Sequence, residues 1–388
     1  MADSTGQGQG AGPRLLLNAQ PFGFGPPAAT AALAQELAPR CAEVGYFGAG
    51  HTLDLQHCPP YHTVYATTGL SDDERAAWLR QLAPRYDLFV TAMDFPEAAL
   101  ARHAGFRVAV YDALTWFWTE IPAAADDAEL YIAQDFFGVR ERISGHPALR
   151  RNTLVVPPII PGLPRRRVWR PARAGEGPGR YVLLNLGGLQ NPCWPDSEAA
   201  AYARLMLDAV RAAQPAGWSV IVTTSRAVAA ELGDPAVRTD GRDTVLGLMA
   251  GAAYACMTPG LGNIYDAAAT GVPALWLPSA NETHHLQARL LAEHGYCDAR
   301  VDWPDVGGPA TYDVPLPAVP EALTKAIVEV VRKLSAEPVL KDRLAEQVAR
   351  CADGLGLLPG RARALTDRFG HGGMREAAAA LVRLPLGR

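Results

Sequence analysis

The sequence predicts an α/β fold built from two doubly wound halves, each with a mostly parallel sheet. Short apolar runs alternate with longer helical patterns through most of the 388 residues, and this alternation is typical of parallel sheets covered by helices. The alternation stops in a segment rich in Pro, Gly and Arg and then begins again, which indicates two domains in a chain of this length.

The strands of the first half are predicted from short apolar runs, because strands buried on both faces of a parallel sheet are nearly continuous in apolar residues. These strands cover Arg14–Asn18, Val44–Phe47, Asp87–Ala92, Arg107–Tyr111, Leu130–Ala133 and Leu154–Val156. Helical patterns over Ala28–Leu37 and Glu97–Ala104 lie between them.

The second half repeats the alternation and ends in helices. Its strands are predicted over Tyr181–Leu186, Ser219–Thr223, Ala253–Met257 and Ala274–Leu277, and its helices over Glu198–Ala213, Asn263–Ala269, Glu282–His294, Val319–Ser335 and Glu337–Leu355. We therefore predict a tail over 1–13, a first domain over 14–160, a linker over 161–180, a second domain over 181–358 and closing helices over 359–388 that pack back on the first domain.

Composition excludes several classes of protein. The net charge of −4 implies no polyanionic partner such as nucleic acid, so we interpret Arg165-Arg166-Arg167 as part of a solvated linker. The six cysteines show no C-x-x-C spacing, which argues against a zinc or iron–sulfur site and fits a reducing cytoplasm. No apolar run approaches the roughly 20 residues of a membrane-spanning helix. The first residues lack the pattern of a signal peptide.

The most informative segment is TPGLGNIYDAAATGVPALWLP, over 258–278. It predicts a strand end, a tight Gly-rich turn, a short helix and another buried strand. The glycines let the backbone approach a ligand closely, and the start of the helix offers bare N–H groups with a positive dipole end. Such a turn binds a phosphate or diphosphate without a metal. Asp266, one turn into the helix, is placed to bind a sugar hydroxyl beside that phosphate.

This segment and the polar residues after Pro278 resemble the donor half of the GT-B glycosyltransferases, in particular the MurG-like and macrolide-glycosyltransferase-like group. The resemblance implies two Rossmann-like domains that face each other across a cleft, with a nucleotide sugar bound to the second. It assigns the diphosphate to Gly260, Gly262 and Asn263, the ribose to Asp266, and the sugar to Thr283 and His284, with Asn281 beside them. This family usually has Asp-Gln where Thr283-His284 stands.

Further donor contacts are expected around the same edge of the second sheet. Gly187 and Gly188 form another glycine turn directly after a strand, and Thr258 and Leu261 belong to the main turn. The family usually holds the nucleotide base against a loop of this half, for which Arg226 and Met249 are our candidates.

The acceptor half lacks the histidine that many inverting members of this family carry shortly after the first strand. Other strand ends supply candidate catalytic bases, namely His51, Asp94, Asp112 and Asp135, since ligands of doubly wound sheets bind at the carboxyl ends of strands and a base must reach the acceptor proton. We expect acceptor contacts from Gln20, Phe22 and Phe24, and from an aromatic wall that includes Trp116 and Trp118.

The sequence has no D-x-D, so metal-dependent transfer of the GT-A type has no support, and we expect an inverting transferase without cofactor or metal, with the UDP-sugar as co-substrate. The segments NAQPFGFGP and YDALTWFW are similar to those of cytosylglucuronate synthases from peptidyl-nucleoside antibiotic pathways, which implies transfer of glucuronate to cytosine. Two alternatives remain open: a UDP-sugar 2-epimerase of the same fold, and a non-catalytic subunit that binds a nucleotide sugar.

Overall fold

The computed structural model describes residues 12–56, 60–159, 180–190, 193–308 and 320–386. These residues form two compact units. The first comprises 12–21, 26–159 and 371–386, and the second comprises 22–25 and 180–370, with the gaps given above. The predicted tail over 1–13 and the predicted linker over 161–180 lie almost wholly outside the described residues.

A parallel sheet forms the centre of the first unit. Its strands are β1 (Arg14–Ala19), β2 (Glu43–Gly48), β3 (Thr63–Ala66), β4 (Leu88–Ala92), β5 (Val108–Asp112), β6 (Leu130–Gln134) and β7 (Thr153–Val156). They are ordered β3-β2-β1-β4-β5-β6-β7. The chain therefore reverses its direction of winding between β1 and β4, where ligands of doubly wound sheets commonly bind.

Helices connect the strands of the first unit. They are α1 (Gly25–Leu37), α2 (Asp72–Leu82), α3 (Phe95–His103), α4 (Ala123–Asp126), α5 (Val139–Gly145) and α6 (Leu149–Asn152), together with 3₁₀ turns at Ala38–Arg40 and Gly50–Leu55. Strands β1, β4 and β5 are almost wholly buried, as their unbroken apolar sequence predicts.

A second parallel sheet forms the centre of the second unit. Its strands are β8 (Tyr181–Leu186), β9 (Ser219–Thr224), β10 (Val237–Arg238), β11 (Tyr254–Met257), β12 (Ala274–Trp276) and β13 (Ala299–Arg300). The order β10-β9-β8-β11-β12-β13 places the reversal of winding between β8 and β11. The two predicted glycine turns follow these two strands.

The helices of the second unit surround this sheet. They are α7 (Asp196–Ala213), α8 (Arg226–Leu232), α9 (Arg242–Gly251), α10 (Leu261–Thr270), α11 (Glu282–Glu293), α12 (Pro320–Ala336), α13 (Pro338–Ala352) and α14 (Leu365–Phe369), with 3₁₀ turns at Trp303–Val306 and Arg361–Ala364. The last described helix, α15 (Gly373–Leu386), belongs to the first unit, where it packs against β6 and β7.

The predicted fold class is confirmed: two doubly wound parallel sheets are followed by a helical C-terminal region. The sequence interpretation missed short or weakly apolar elements, namely β3, α2, α4, α5, α6, α8, β10 and β13. In the described part of the chain, every helix is too short or too polar to cross a bilayer.

Candidate functional site

Asn185, at the end of β8, joins the two glycine turns of the second unit. Its side-chain amide donates to Asn263 Oδ1 at 3.0 Å, and its oxygen accepts from Gly187 N at 3.3 Å and Thr223 Oγ1 at 3.1 Å. A Cβ on Gly188 would lie 4.0 Å from Thr258 Oγ1, so the turns are neighbours. The turns that the sequence predicted separately form one polar edge of the sheet.

The main turn ends in the start of α10, which begins at Leu261 and not at Asn263 as predicted. Gly260 precedes the helix in an extended conformation and offers no capping side chain. Ile264 N makes the first backbone bond of the helix, to Gly260 O at 2.9 Å, so the preceding N–H groups lie ahead of the helical ladder. An uncapped helix start with exposed Gly262 beside it is suited to an anion.

The Asn263 side chain has a structural part in this turn. Its amide donates to Thr258 O at 2.9 Å and lies 3.3 Å from Thr258 Oγ1, while its oxygen accepts from Asn185. Thr258 has no exposed surface. The side chains of Asn263 and Thr258 therefore stabilise the turn, and the backbone of this segment remains the candidate for diphosphate binding.

The predicted sugar-contacting residues form a cluster against the same turn. Asn281 caps α11, where its oxygen accepts from His284 N at 3.0 Å and Thr283 Oγ1 at 2.8 Å. The imidazole of His284 packs against Gly260, because a Cβ there would lie 3.1 Å from His284 Nε2. Burial lowers the pKa of His284 to about 3, so the ring is neutral and accepts or donates hydrogen bonds without carrying charge.

Asp266 lies on α10 and is paired with an arginine that the sequence interpretation did not select. Arg242, the first residue of α9, donates to Asp266 Oδ1 at 2.5 Å. The side chain of Asp266 is 10% exposed and that of Arg242 is 26% exposed. The Arg242 guanidinium thus fixes the orientation of the acid proposed for the ribose.

The candidates for the nucleotide base differ in accessibility. Arg226 is exposed at the first position of α8, immediately after the carboxyl end of β9. Met249, in contrast, has no exposed surface, because it is on the inward face of α9 with Leu246. This corrects the expectation of a direct contact between Met249 and the base.

In the first unit, Asp112 proves to be an anchor for the aromatic loop that follows β5. It is fully buried. One oxygen accepts from Leu114 N at 2.6 Å, and the other accepts from Trp118 Nε1 at 2.7 Å, from Thr115 Oγ1 at 3.3 Å and from the Tyr131 hydroxyl. Burial raises its pKa. Because the side chain has no exposed surface and both of its oxygens already accept hydrogen bonds, this geometry favours a structural role for Asp112 over the predicted base.

The aromatic residues after β5 are partly buried and partly open. Trp118 stacks edge-on against Phe95 at 5.8 Å and is held by Asp112. Trp116 packs at 5.5 Å from Phe136 and also lines an open groove of about 710 Å³, together with Ile121, Glu141 and Arg142. One face of the predicted wall therefore belongs to the core, and Trp116 borders a cavity.

Two of the remaining base candidates have different surroundings. Asp135, after β6, is buried, and one of its oxygens accepts from Arg140 Nε at 2.9 Å and Arg140 Nη2 at 2.6 Å. This ion pair makes Asp135 a weaker base candidate. His51 lies half-buried in the 3₁₀ turn after β2.

Asp94 lies at the carboxyl end of β4, beside the point where the winding reverses. It caps α3 by accepting from Glu97 N at 3.1 Å, and burial raises its pKa. Met93, the residue before it, has φ 66°, the one positive φ outside glycine among the described residues. Such strain costs on the order of 1–3 kcal/mol and clusters at functional sites.

The loop after β1 is divided between the two units. Gln20 N donates to Ala92 O of the first unit at 2.9 Å, whereas Phe22 and Phe24 are in the segment 22–25 that belongs to the second unit. Gly23 N donates there to Gln190 O at 2.5 Å. This differs from the expectation that all three acceptor-binding residues belong to the first half.

No protein-family model matches the sequence, and no curated protein matches it. Solved structures do match. The chain is similar to the glycotransferase of kitacinnamycin (17% identity, 96% of this chain, 99% of that chain, TM-score 0.51). It is similar to MurG of Acinetobacter baumannii (14%, 96% and 99%, TM-score 0.52). It is also similar to UGT89C1 of Arabidopsis thaliana complexed with UDP (12%, 96% and 99%, TM-score 0.53).

These similarities and the two sheets show that the chain has the GT-B fold. The resemblance stated from residues 258–278 is confirmed at the level of the fold. Sequence reasoning missed Asn185 and Arg242. The signal for Asn185 was its position next to Gly187, whereas Arg242 carried no local signal.

Proposed function

We propose that this protein is a glycosyltransferase that moves a sugar from a nucleotide-sugar donor to a small acceptor. The observation that carries the proposal is the continuous edge formed by the Gly187–Gly188 turn, the uncapped start of α10 and the cluster around His284. This edge offers backbone N–H groups for a diphosphate, and next to them polar side chains for a sugar. A nucleotide sugar has these two chemical parts side by side.

The transfer proceeds with inversion and without a metal. The N–H groups at the start of α10 and the dipole of that helix stabilise the charge that develops on the departing diphosphate. Arg226, exposed at the same edge of the sheet, adds a positive charge. In other transferases a metal ion stabilises this developing charge.

Asp94 is the base that we assign to the acceptor. Its Oδ1 caps α3 through Glu97 N, and its second oxygen has no hydrogen bond to the described residues. A pKa raised by burial makes the carboxylate a stronger base near neutral pH. The adjacent strained residue, Met93, and the position at the reversal of winding support the same assignment.

The narrower form of this proposal specifies a UDP donor, glucuronate as the sugar and cytosine as the acceptor. They rest on the sequence resemblance of the segments around Phe22 and Trp116. A flat pyrimidine fits an indole wall such as that of Trp116, and deprotonation of a ring nitrogen requires only a carboxylate. One structure of UGT89C1 is a complex with quercetin, which is also a flat molecule.

A thermal-shift screen of UDP- and TDP-sugars tests the donor half, because a ligand that binds the native state raises its stability with ln(1 + [L]/Kd). The best donor is then incubated with an acceptor panel that includes cytosine, with and without EDTA, and the anomeric configuration of the product is read by NMR. Epimerisation of the donor without any acceptor would identify an epimerase. Binding without transfer or hydrolysis across the panel would identify a non-catalytic subunit.

A further inference from the structure

Helices α2 and α3 begin with the same kind of sequence but are capped differently. Both starts place a glutamate three residues after the capping residue, in Ser71–Glu74 and in Asp94–Glu97, as a capping box requires. At α2 the box is complete, because Ser71 N donates to Glu74 Oε2 at 2.8 Å and Glu74 N donates to Ser71 Oγ at 3.3 Å. At α3 Glu97 N donates to Asp94 Oδ1 at 3.1 Å, but Asp94 N donates no hydrogen bond to any described residue. The box of α3 is therefore half formed.

Arg75, on α2, accounts for the difference. Its Nε donates to Glu97 Oε2 at 3.0 Å, its Nη1 to Leu70 O at 3.2 Å and its Nη2 to Asp72 Oδ1 at 3.0 Å. Glu97 itself is buried, with 5% of its surface exposed. The guanidinium is thus fixed on α2 by its other two partners, and it draws the Glu97 carboxylate away from Asp94 N.

The complete box of α2 shows what Glu97 would do at α3 without this arginine. There the glutamate oxygen that accepts from Ser71 N also lies 2.8 Å from Ser71 Oγ, the side-chain oxygen of the capping residue. A completed box at α3 would therefore bring the Glu97 carboxyl group against the side-chain oxygens of Asp94. Neighbouring carboxylates disfavour their doubly charged state and share a proton, so Asp94 Oδ2 would no longer be a free base.

We propose that Arg75 is a positioning residue that keeps the start of α3 open, so that Asp94 meets the acceptor with a free carboxylate oxygen. This inference rests on the proposed function, in which Asp94 is the base. Arg75 touches no reacting atom and acts by holding Glu97. Burial raises the pKa of Asp94 and the Arg75 charge lowers it, so the arginine also favours the ionised form of the base.

Steady-state kinetics of the full chain separates this role from a purely structural one. Arg75→Met should lower kcat about tenfold with the donor KM unchanged, because the freed Glu97 carboxyl group impairs a base whose contribution is about 10²–10⁴ in rate. Arg75→Met/Glu97→Met should restore kcat to within about threefold of the wild type, because a thioether cannot complete the box. A structural role predicts instead that the double variant is at least as slow as Arg75→Met.

Arg75→Met/Glu97→Gln should remain slow, because glutamine also completes a capping box. This variant leaves no buried carboxylate without its cation, so it keeps the test decisive if Arg75→Met does not fold. Arg80→Met is the matched control. Arg80 is exposed on the same helix, and its loss should leave kcat at the wild-type value.

Hydrogen exchange followed by mass spectrometry gives a readout that needs no turnover. The Asp94 amide should exchange more slowly in Arg75→Met and Arg75→Met/Glu97→Gln than in the wild type, and Arg75→Met/Glu97→Met should show no such slowing. The inference is overturned if Arg75→Met keeps the wild-type kcat, if the two double variants are equally fast, or if exchange at Asp94 is the same in all variants. A wild type that transfers no sugar to any acceptor contradicts the proposed function instead, and the exchange experiment alone then decides whether Arg75 holds the box open.

Discussion

His284 and Gly260 lie so close that any side chain at position 260 meets the imidazole: a Cβ there would be 3.1 Å from Nε2 and 3.6 Å from Cδ2. Gly260 lies in the turn after β11, whereas His284 lies in the first turn of α11, after β12. Their contact therefore sets the distance between the turn proposed for the diphosphate and the cluster proposed for the sugar.

Gly260→Ala is expected to weaken UDP-sugar binding by about tenfold, equivalent to about 1.4 kcal/mol, because the new methyl group displaces His284 or the turn. Titration calorimetry measures the affinity. In the double variant Gly260→Ala/His284→Ala, the loss of affinity should differ clearly from the sum of the losses in the two single variants, because residues in contact are coupled. Gly241→Ala is the control, since a Cβ at Gly241 has nothing within 4 Å. Wild-type affinity in Gly260→Ala would show that the close contact has no part in donor binding.

Asn185→Ala should lower both stability and donor affinity. It removes the hydrogen bonds to Gly187 N, Thr223 Oγ1 and Asn263 Oδ1, and buried groups left unpaired cost on the order of 1–3 kcal/mol. Urea unfolding and UDP titration measure the two effects. Thr224→Val, which loses the neighbouring bond to Leu186 O, is the control, and it should lose stability without a comparable loss of affinity.

Asp112→Asn separates a structural role from a catalytic one. The amide places a donor group against hydrogen-bond donors such as Trp118 Nε1 and the Tyr131 hydroxyl, so the variant should be destabilised by about 1–3 kcal/mol. The near-UV circular dichroism of the aromatic loop should also change. If Asp112→Asn is as stable as the wild type and has lost only its turnover, Asp112 is the base after all and the assignment to Asp94 is wrong.

Glu97 should make stability depend on pH. It is buried, its Oε2 accepts from Arg75 Nε at 3.0 Å, and its Oε1 has no partner among the described residues. Burial raises its pKa from 4.5 to about 7. The folded state then binds more protons than the unfolded state between these values, so stability should fall as the pH rises from 4.5 to 7.

Glu97→Gln should remove this dependence, with a gain over the wild type of up to about 3 kcal/mol above pH 7. Urea unfolding at a series of pH values measures it. Glu141→Gln, at an exposed position of α5, is the control. Parallel curves for the wild type and Glu97→Gln would show that Glu97 has an ordinary pKa in the folded chain.

The fold was predictable because buried parallel strands leave continuous apolar runs, as in Tyr181–Leu186, whose predicted bounds match those of β8. Elements without such runs were missed. Strand β3 is only partly buried and β10 has two residues, so their backbone pairing depends on neighbours that the local sequence does not specify.

The parts of the candidate site that could be predicted are those whose residues lie close together in the sequence. The glycine turn and the polar residues Asn281, Thr283 and His284 lie within short segments with a recognisable pattern. The pairs Asn185–Asn263 and Arg242–Asp266 join residues 78 and 24 positions apart, and only the packing of α9 and α10 on the sheet brings them together. The four base candidates all followed strands, and their burial and partners were needed to distinguish them.

The first unit contains a helix, α15, whose residues Ala377, Ala378 and Leu381 are fully buried in its core. These residues come after the whole second unit in the chain. During synthesis on the ribosome, the apolar surface of the first sheet beside β6 and β7 is therefore covered only after the second unit has been translated. The nascent chain should need protection by chaperones during that interval, and removal of α15 should yield an aggregating product even though both sheets are intact.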